Sequence, residues 1–195
     1  MTNQETDERL LEDASQGKTA AFQILYERYR DPIFRFAYRM LGSVEAAEDV
    51  VHDCFLGLIK EPGRFDSTKA SLRTYLYAAA RNQAAKRYLN SSRESGIEEL
   101  PREPQMAAHL EPIRQVLDNE LAGEVQRAIE SLPPLQREAL VLFEYEDLSL
   151  AEIGAIVGAD SNAVKARLFR AREGLKSTLR PYLNSSREIV TLKEA

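Results

Sequence analysis

Apolar residues recur along this chain at steps of three and four, and no segment sustains the alternation of a half-buried strand. Thr6 predicts an N-cap for a short helix through Leu10, Leu11 and Ala14, which Gly17 ends. A longer helix follows on Phe22, Leu25, Tyr26, Tyr29, Ile33, Phe34, Ala37, Tyr38 and Leu41. Pro32 predicts a kink or local break in it, and Gly42 a stop. Ser43 caps a third helix to about Lys60, with Val51, Phe55, Leu58 and Ile59 inward beside a buried Cys54. Ser71 caps a fourth from Leu72 to about Tyr88. The later part predicts a helix around Leu121–Leu132, another from Pro133-Pro134 through Tyr145, and a closing pair. The fold class is all-α.

That closing pair, Ser149 to Arg180, carries the strongest local signal. Ser149 and Glu152 have the spacing of a capping box, and Ile153 and Val157 face inward one turn apart. Gly158 stands where the first helix must stop, and Gly154 is small enough for a second helix to cross closely. Asp160 is an N-cap for that second helix, whose buried edge is Val164, Leu168, Ala171 and Leu175. This is a helix-turn-helix pattern, in which the second helix enters a DNA major groove. Its basic residues are Lys165, Arg167, Arg170, Arg172, Lys176 and Arg180, against only Asp160 and Glu173. The pattern turns Ser161, Asn162, Lys165, Ala166 and Phe169 outward toward base edges, with Arg167, Arg170 and Arg172 flanking them at phosphate height.

Composition narrows the function classes. The chain has 195 residues, 29% of them charged and 44% hydrophobic, with a net charge of −5. Those are values of a globular protein of one or two domains. A basic helix on an acidic chain is a localised electrostatic footprint, and the acidic remainder implies a second, basic partner. No apolar run approaches the roughly 20 residues that span a bilayer, and the start of the chain is acidic, unlike a signal peptide, so a cytoplasmic protein without membrane insertion is expected. One cysteine precludes an internal disulfide, and His52 and His109 lie far apart with no cysteine cluster, so no metal site is expected. Neither a Gly-rich phosphate loop nor a nucleophile elbow is present, and no cofactor or catalytic residue is expected.

Residues 91–117 break the helical pattern with Gly96, Pro101, Pro104 and Pro112, and acidic residues outnumber basic ones. They read as an acidic linker, with a short helical piece near Met106 to Leu117. The linker separates a domain over 1–90 from one over 118–183, followed by a polar tail over 184–195. The heptapeptide YLNSSRE occurs twice, at Tyr88–Glu94 and Tyr182–Glu188, and both copies read as polar helix stops.

Two surfaces stand out in the first domain. On the third helix, Glu45, Glu48, Asp49, His52 and Asp53 form an acidic stripe without the lysines that i,i+4 pairing would supply. Such a stripe is either a solvated face or a docking face for a basic partner. The fourth helix interleaves Arg73, Arg81, Asn82, Lys86 and Arg87 with Tyr75, Tyr77 and Tyr88, after a polar loop from Lys60 to Ser71. Arginine among aromatic rings suits single-stranded nucleic acid; equally, Leu76, Ala79, Ala80 and one or two tyrosines would be core.

Taken together, these segments resemble a bacterial sigma factor of the compact, two-domain extracytoplasmic-function type. AEDVVHDCF is similar to that family's AED-hydrophobic-hydrophobic-QE-x-F segment, and SLRTYLYAAARNQAAKR to its S-F-x-x-W-L-x-x-I-A-x-N-x-x-x-D segment. The stretch from Leu132 to Glu173 resembles its C-terminal L-P-x-x-x-R…L-S-x-x-E-I-A…T-V-K-S-R-L-x-R-A-R signature. Tyr75 stands where Trp is usual, Lys86 for Asp, Gly154 for Ala, and Asn162-Ala163 for Gly-Thr. The resemblance implies two helical domains, sigma regions 2 and 4, that serve core RNA polymerase without catalysis. It assigns Glu45, Glu48, Asp49, His52 and Asp53 to the β′ clamp helices. It assigns Arg64, Ser67, Thr68, Lys69, Arg73, Tyr75, Arg81, Asn82 and Lys86 to the minus-ten element. Ser161, Asn162, Lys165, Ala166, Arg167, Phe169, Arg170 and Arg172 fall to the minus-thirty-five element. The β flap, promoter DNA and an anti-sigma factor complete the implied partners. The residues alone leave two alternatives, a dimeric helix-turn-helix regulator and a purely protein-binding module.

Overall fold

The computed structural model describes residues 6–94 and 122–191, with side chains at 6–89 and 122–182. Among the described residues there are eight α-helices and no strand: α1 (Asp7–Ser15), α2 (Thr19–Leu41), α3 (Val44–Lys60), α4 (Leu72–Glu94), α5 (122–130), α6 (Pro134–Glu144), α7 (Leu150–Val157) and α8 (Ser161–Thr191). A single 3₁₀ turn, Pro62–Arg64, begins the loop between α3 and α4. No described helix is long and apolar enough to cross a membrane.

The capping chemistry read from the sequence is present. The hydroxyls of Thr6 and Ser43 accept from the amides of Arg9 and Ala46, and Ser71 accepts from Thr74 N at 3.2 Å. Each satisfies an amide that the first helical turn leaves without a partner. Gly42 ends α2 at φ 68°, in the left-handed region that favours glycine. A Cβ there would also meet Oε1 of Glu130 at 3.0 Å, because α5 lies against this corner.

Helices α1 to α4 pack around Leu10, Leu25, Ile33, Phe36, Val50, Leu58, Leu72, Leu76 and Tyr77. Asp7 fastens α1 to α2 by accepting from Arg28 Nη1 and the Tyr29 hydroxyl. The core continues into the second half through Ile129, Leu142, Leu148 and Ile153, with α4 packed on α7 and α2 on α6. The two halves therefore share one buried interior.

Four expectations need correction. Ile59 is exposed, and the inward face of α3 is Ala47, Val50, Val51, Cys54, Phe55 and Leu58. Phe22, Tyr26 and Phe34 are half-buried, whereas Phe36 is fully buried: the apolar stripe of α2 is wider than the core it serves. Pro32 does not break α2, which runs on to Leu41. Both YLNSSRE copies are helical, so α4 reaches Glu94 and α8 reaches Thr191. Asn and Ser lower helix propensity by tenths of a kcal/mol, too little to stop a helix already propagating. The rest of the 91–117 linker, beyond Glu94, lies outside the described residues, as does His109.

Cys54 is buried against α2 and α4, and burial, reinforced by Asp53 and opposed by Arg87, pushes its thiol up to about 12. Alkylation by iodoacetamide at pH 8 should therefore proceed only at the rate at which the domain opens, and should become immediate in urea; mass spectrometry follows both.

Candidate nucleic-acid interface

The helix-turn-helix is built as its spacing predicts. Ser149 and Glu152 close a reciprocal capping box, and the exchange holds the Glu152 carboxyl below its ordinary value. Gly158 turns the chain at φ 65°, and Asp160 Oδ1 accepts from Ala163 N at 2.8 Å to start α8. Gly154 proves more constrained than a small residue at a crossing. A Cβ there would lie 2.6 Å from the carbonyl oxygen of Ala159, so the turn folds directly over it.

Val164, Leu168 and Ala171 are buried, which fixes the outward face of α8, while Leu175, expected on the same edge, is only half-buried. Ser161, Asn162, Lys165, Phe169 and Arg170 are exposed on it, with Phe169 at 67%, and Ala166 is half-buried. Lys165 and Arg170 have no ion-pair partner among the described residues. The other two arginines are engaged. Arg172 donates from Nε and Nη2 to Glu144 Oε1 at 3.0 and 2.6 Å and stacks over Phe143. Arg167 Nη1 donates to Glu138 Oε1 at 3.3 Å.

On α4, Asn82 and Lys86 are exposed, while Arg73 and Arg81 turn toward α6 and the segment after it. Arg81 Nε donates to Glu138 Oε2 at 2.9 Å, and Arg73 Nη2 donates to the carbonyl of Glu146. Tyr77 is core: its ring packs edge-on against Phe36 and its hydroxyl donates to Glu146 Oε2. Burial foremost, then that hydrogen bond, raises its phenol pKa. Tyr75 is half-buried, edge-on to Phe65 at 5.6 Å between centroids. Of the three interleaved rings, then, Tyr77 serves packing and only Tyr75 and Tyr88 have exposed surface.

The loop before α4 is ordered by its own polar groups. Asp66 Oδ1 accepts from the Thr68 amide and hydroxyl at 3.0 and 2.6 Å, and Lys69 pairs with Asp66 at 2.9 Å. These contacts, the Thr68 hydroxyl first, lower the Asp66 carboxyl to about 2. Arg64 pairs with Glu61. Pro62, Gly63, Phe65 and Ser67 face Glu8, Leu11 and Glu12 of α1 across a shallow polar cleft.

The acidic stripe of α3 is not wholly unpaired. Arg87 of α4 donates to Asp53 Oδ2 at 2.7 Å and lies 4.0 Å from Asp49, a cross-helix partner that i,i+4 spacing cannot reveal. Glu45, Glu48, Asp49 and His52 remain exposed. Beside them Phe22, Tyr26, Phe34, Val51, Phe55 and Ile59 line an apolar groove between α2 and α3, rimmed by Arg30, Glu48 and His52. Sequence reasoning turned Phe55 inward and placed Phe22, Tyr26 and Phe34 at the helical period of α2 without assigning them a groove. Their excess over what the four helices α1 to α4 bury was the available signal.

Comparison with known proteins follows the same division. Residues 25–94 match the Sigma-70 region 2 family and residues 122–175 the Sigma-70, region 4 family. The extracytoplasmic-function (ECF) RNA polymerase sigma factor SigW of Bacillus subtilis is 32% identical over 178 residues, covering 87% of this chain and 95% of its own. The ECF RNA polymerase sigma-E factor of Escherichia coli is 33% identical over 192 residues, covering 94% and 99%. Among solved structures, CnrH in complex with the cytosolic domain of CnrY superposes with a TM-score of 0.69 at 24% identity, over 91% of this chain and 99% of that one. The sigma factor RpoE of Bartonella quintana, in complex with the anti-sigma factor NepR, gives 0.64 at 22%, over 82% and 96%. With both regions matched in order and full-length relatives above 30% identity, the chain belongs to the extracytoplasmic-function branch of the sigma-70 family, the sigma factors that direct promoter-specific transcription.

Proposed function

We propose that the chain joins core RNA polymerase as a non-catalytic subunit and that its two halves divide promoter recognition. The observation that carries this is the outward row on α8, where Ser161, Asn162, Lys165 and Phe169 stand clear of a buried Val164–Leu168–Ala171 edge. Placed in the major groove of a minus-thirty-five element, that row faces base edges, and Ala166 packs against the groove wall. Arg170 meets phosphate directly. Arg167 and Arg172 do so after leaving Glu138 and Glu144.

The minus-ten element falls to α4 and the loop before it. Arg73, Arg81 and Lys86 neutralise the backbone of a separated strand, and Asn82 offers an amide to a base. Tyr75, edge-on to Phe65, offers a ring for stacking. A base taken out of the stack needs a site with hydrogen-bond partners, and the loop that carries Arg64, Ser67, Thr68 and Lys69 supplies such groups beside α4. Tyr75 in place of the usual Trp gives a smaller stacking surface, and Lys86 in place of Asp adds a cation.

Glu45, Glu48, Asp49, His52 and Asp53 form the docking face for the β′ clamp helices, with the apolar groove beside them supplying buried area. The second half meets the β flap. An anti-sigma factor is a further partner, as it is for the Bartonella quintana protein. A gel shift with and without core polymerase tests the whole reading: retardation of promoter DNA only with core supports it, and retardation by the chain alone returns the regulator.

Three outcomes follow from the geometry. Glu48→Lys with Asp49→Lys places like charge against a basic partner, and core affinity should fall by more than about ten-fold with helix content unchanged by circular dichroism. In a randomised promoter library, Lys165→Ala should relax preference at one or two upstream positions, costing about 1–3 kcal/mol there, while Arg170→Ala should weaken all sequences alike. A logo altered by Arg170→Ala and not by Lys165→Ala would mean that α8 docks rotated from this face. Gly154→Ala should destabilise the second half by about 1–3 kcal/mol in urea unfolding, because the Ala159 carbonyl must move.

A further inference from the structure

Two exposed surfaces of this chain complement one another without meeting. The first is the groove between α2 and α3, which Tyr26, Phe34, Val51 and Phe55 line, with Glu48 on the α3 rim and Arg30 on the α2 rim. These charges are open. Glu45 and Glu48 have no ion pair among the described residues, Asp49 has only Arg87 at 4.0 Å, and Arg30 has only its neighbour Asp31 at 3.9 Å. The second surface is a row on α8. Lys165, Phe169 and Glu173 follow one another at steps of four, all exposed, and so form one line along the helix. Phe169, at 67%, is more exposed than any other large apolar side chain described, and Arg170 beside it has no ion pair among the described residues. Within one chain α8 packs on α6 and α7, and its row faces away from them.

The two surfaces carry opposite charge in the same order. Helices α2 and α3 are packed together and joined only by Gly42 and Ser43, so they form an antiparallel hairpin. Counted from its closed end, Glu48 stands about one turn in, Phe34 and Val51 about two, and Arg30 and Phe55 about three. The groove thus runs carboxylate, apolar, cation. The row on α8 runs cation, ring, carboxylate, with about one turn between each. A helix laid in the groove with Phe169 against Phe34 and Val51 therefore sets Lys165 at Glu48 and Glu173 at Arg30. This is helix-in-groove recognition, with one aromatic anchor and a charge pair on either side. The net charge of −5 makes two copies repel in most orientations, and an approach of the basic helix to the acidic one is favoured over the rest.

We infer that the free chain self-associates, the Lys165–Phe169–Glu173 row of one copy lying in the α2–α3 groove of a second. Each copy contributes a different surface, so the contact is heterologous, and it closes into a dimer where two copies engage each other reciprocally. The inference stands apart from the roles proposed above for these surfaces, because it needs only their shape and charge. Under those roles the contact covers the polymerase-docking face of one copy and the base-reading row of the other, so core polymerase dissolves it by competition.

The test uses the full chain with neither polymerase nor DNA, so its result is independent of the sigma-factor roles. In sedimentation velocity over roughly 1–100 µM, the weight-average sedimentation coefficient should rise with concentration. Phe169→Ser should weaken the association by more than about ten-fold. Lys165→Glu and Glu48→Lys change exposed side chains and leave the core intact. Each alone should remain monomeric, because row and groove then carry like charge. Mixed one to one they should associate, because every row then meets a groove of opposite sign. A wild-type chain that stays monomeric throughout overturns the inference and leaves the groove to a partner of another kind. Association that survives both charge reversals places the contact elsewhere and overturns it too. Loss in both variants without recovery on mixing overturns the pairing of Lys165 with Glu48.

Discussion

The guanidinium of Arg137 is the junction on which the arrangement of helices depends. It is buried on α6 and donates to the carbonyls of Glu130 and Leu132 at the end of α5, and of Met40 near the end of α2. Helix C-termini leave carbonyls without intrahelical partners, and water satisfies them only where water reaches. One planar cation with several donors meets two such ends at once, which an apolar residue of equal volume could not do. Its burial pulls its own pKa down against the opposing effect of Tyr88 and Glu130, and that desolvation is offset by the carbonyl dipoles around it. Fixing these ends fixes where α6 lies against α2, and so where the acids of α6 and the segment after it fall against α4.

From that placement the functional surfaces inherit their state. The face of α8 is set locally, by Gly158, Asp160 and three buried apolar residues, and it is exposed whatever α4 does. The face of α4 is set by its neighbours. Asn82 and Lys86 are turned to solvent, but Arg73 and Arg81 lie on the side that α6 and the segment following it cover. The same helix thus carries polar groups open to solvent and cations already engaged by the second half. The acidic helix α3 shows a milder form of this, with Asp53 tied to Arg87 and Glu45, Glu48 and Asp49 left outward.

Much of this was legible in the residues. Caps at Thr6, Ser43, Ser71 and Ser149, left-handed stops at Gly42 and Gly158, and the buried edge of α8 all depend on interactions within about four residues. Where the reading failed, the reason was of two kinds. YLNSSRE contains weak helix formers but no breaker, so a compositional signal was mistaken for a stop. Phe22, Tyr26, Phe34 and Ile59 fit a helical period, yet the four packed helices α1 to α4 had room for only part of that stripe, and the remainder lines a groove.

The sequence by itself determined the helices, their caps, the helix-turn-helix and its outward row, because each follows from the period of the α-helix and from hydrogen bonds that close within one turn. Tertiary structure decided which charges are free. Arg81 and Glu138 are far apart in the chain and meet at 2.9 Å, as do Arg87 and Asp53 at 2.7 Å, only because helices from different segments bring them together. A side chain's identity states what it can bind; the packing of distant helices states what it is already bound to.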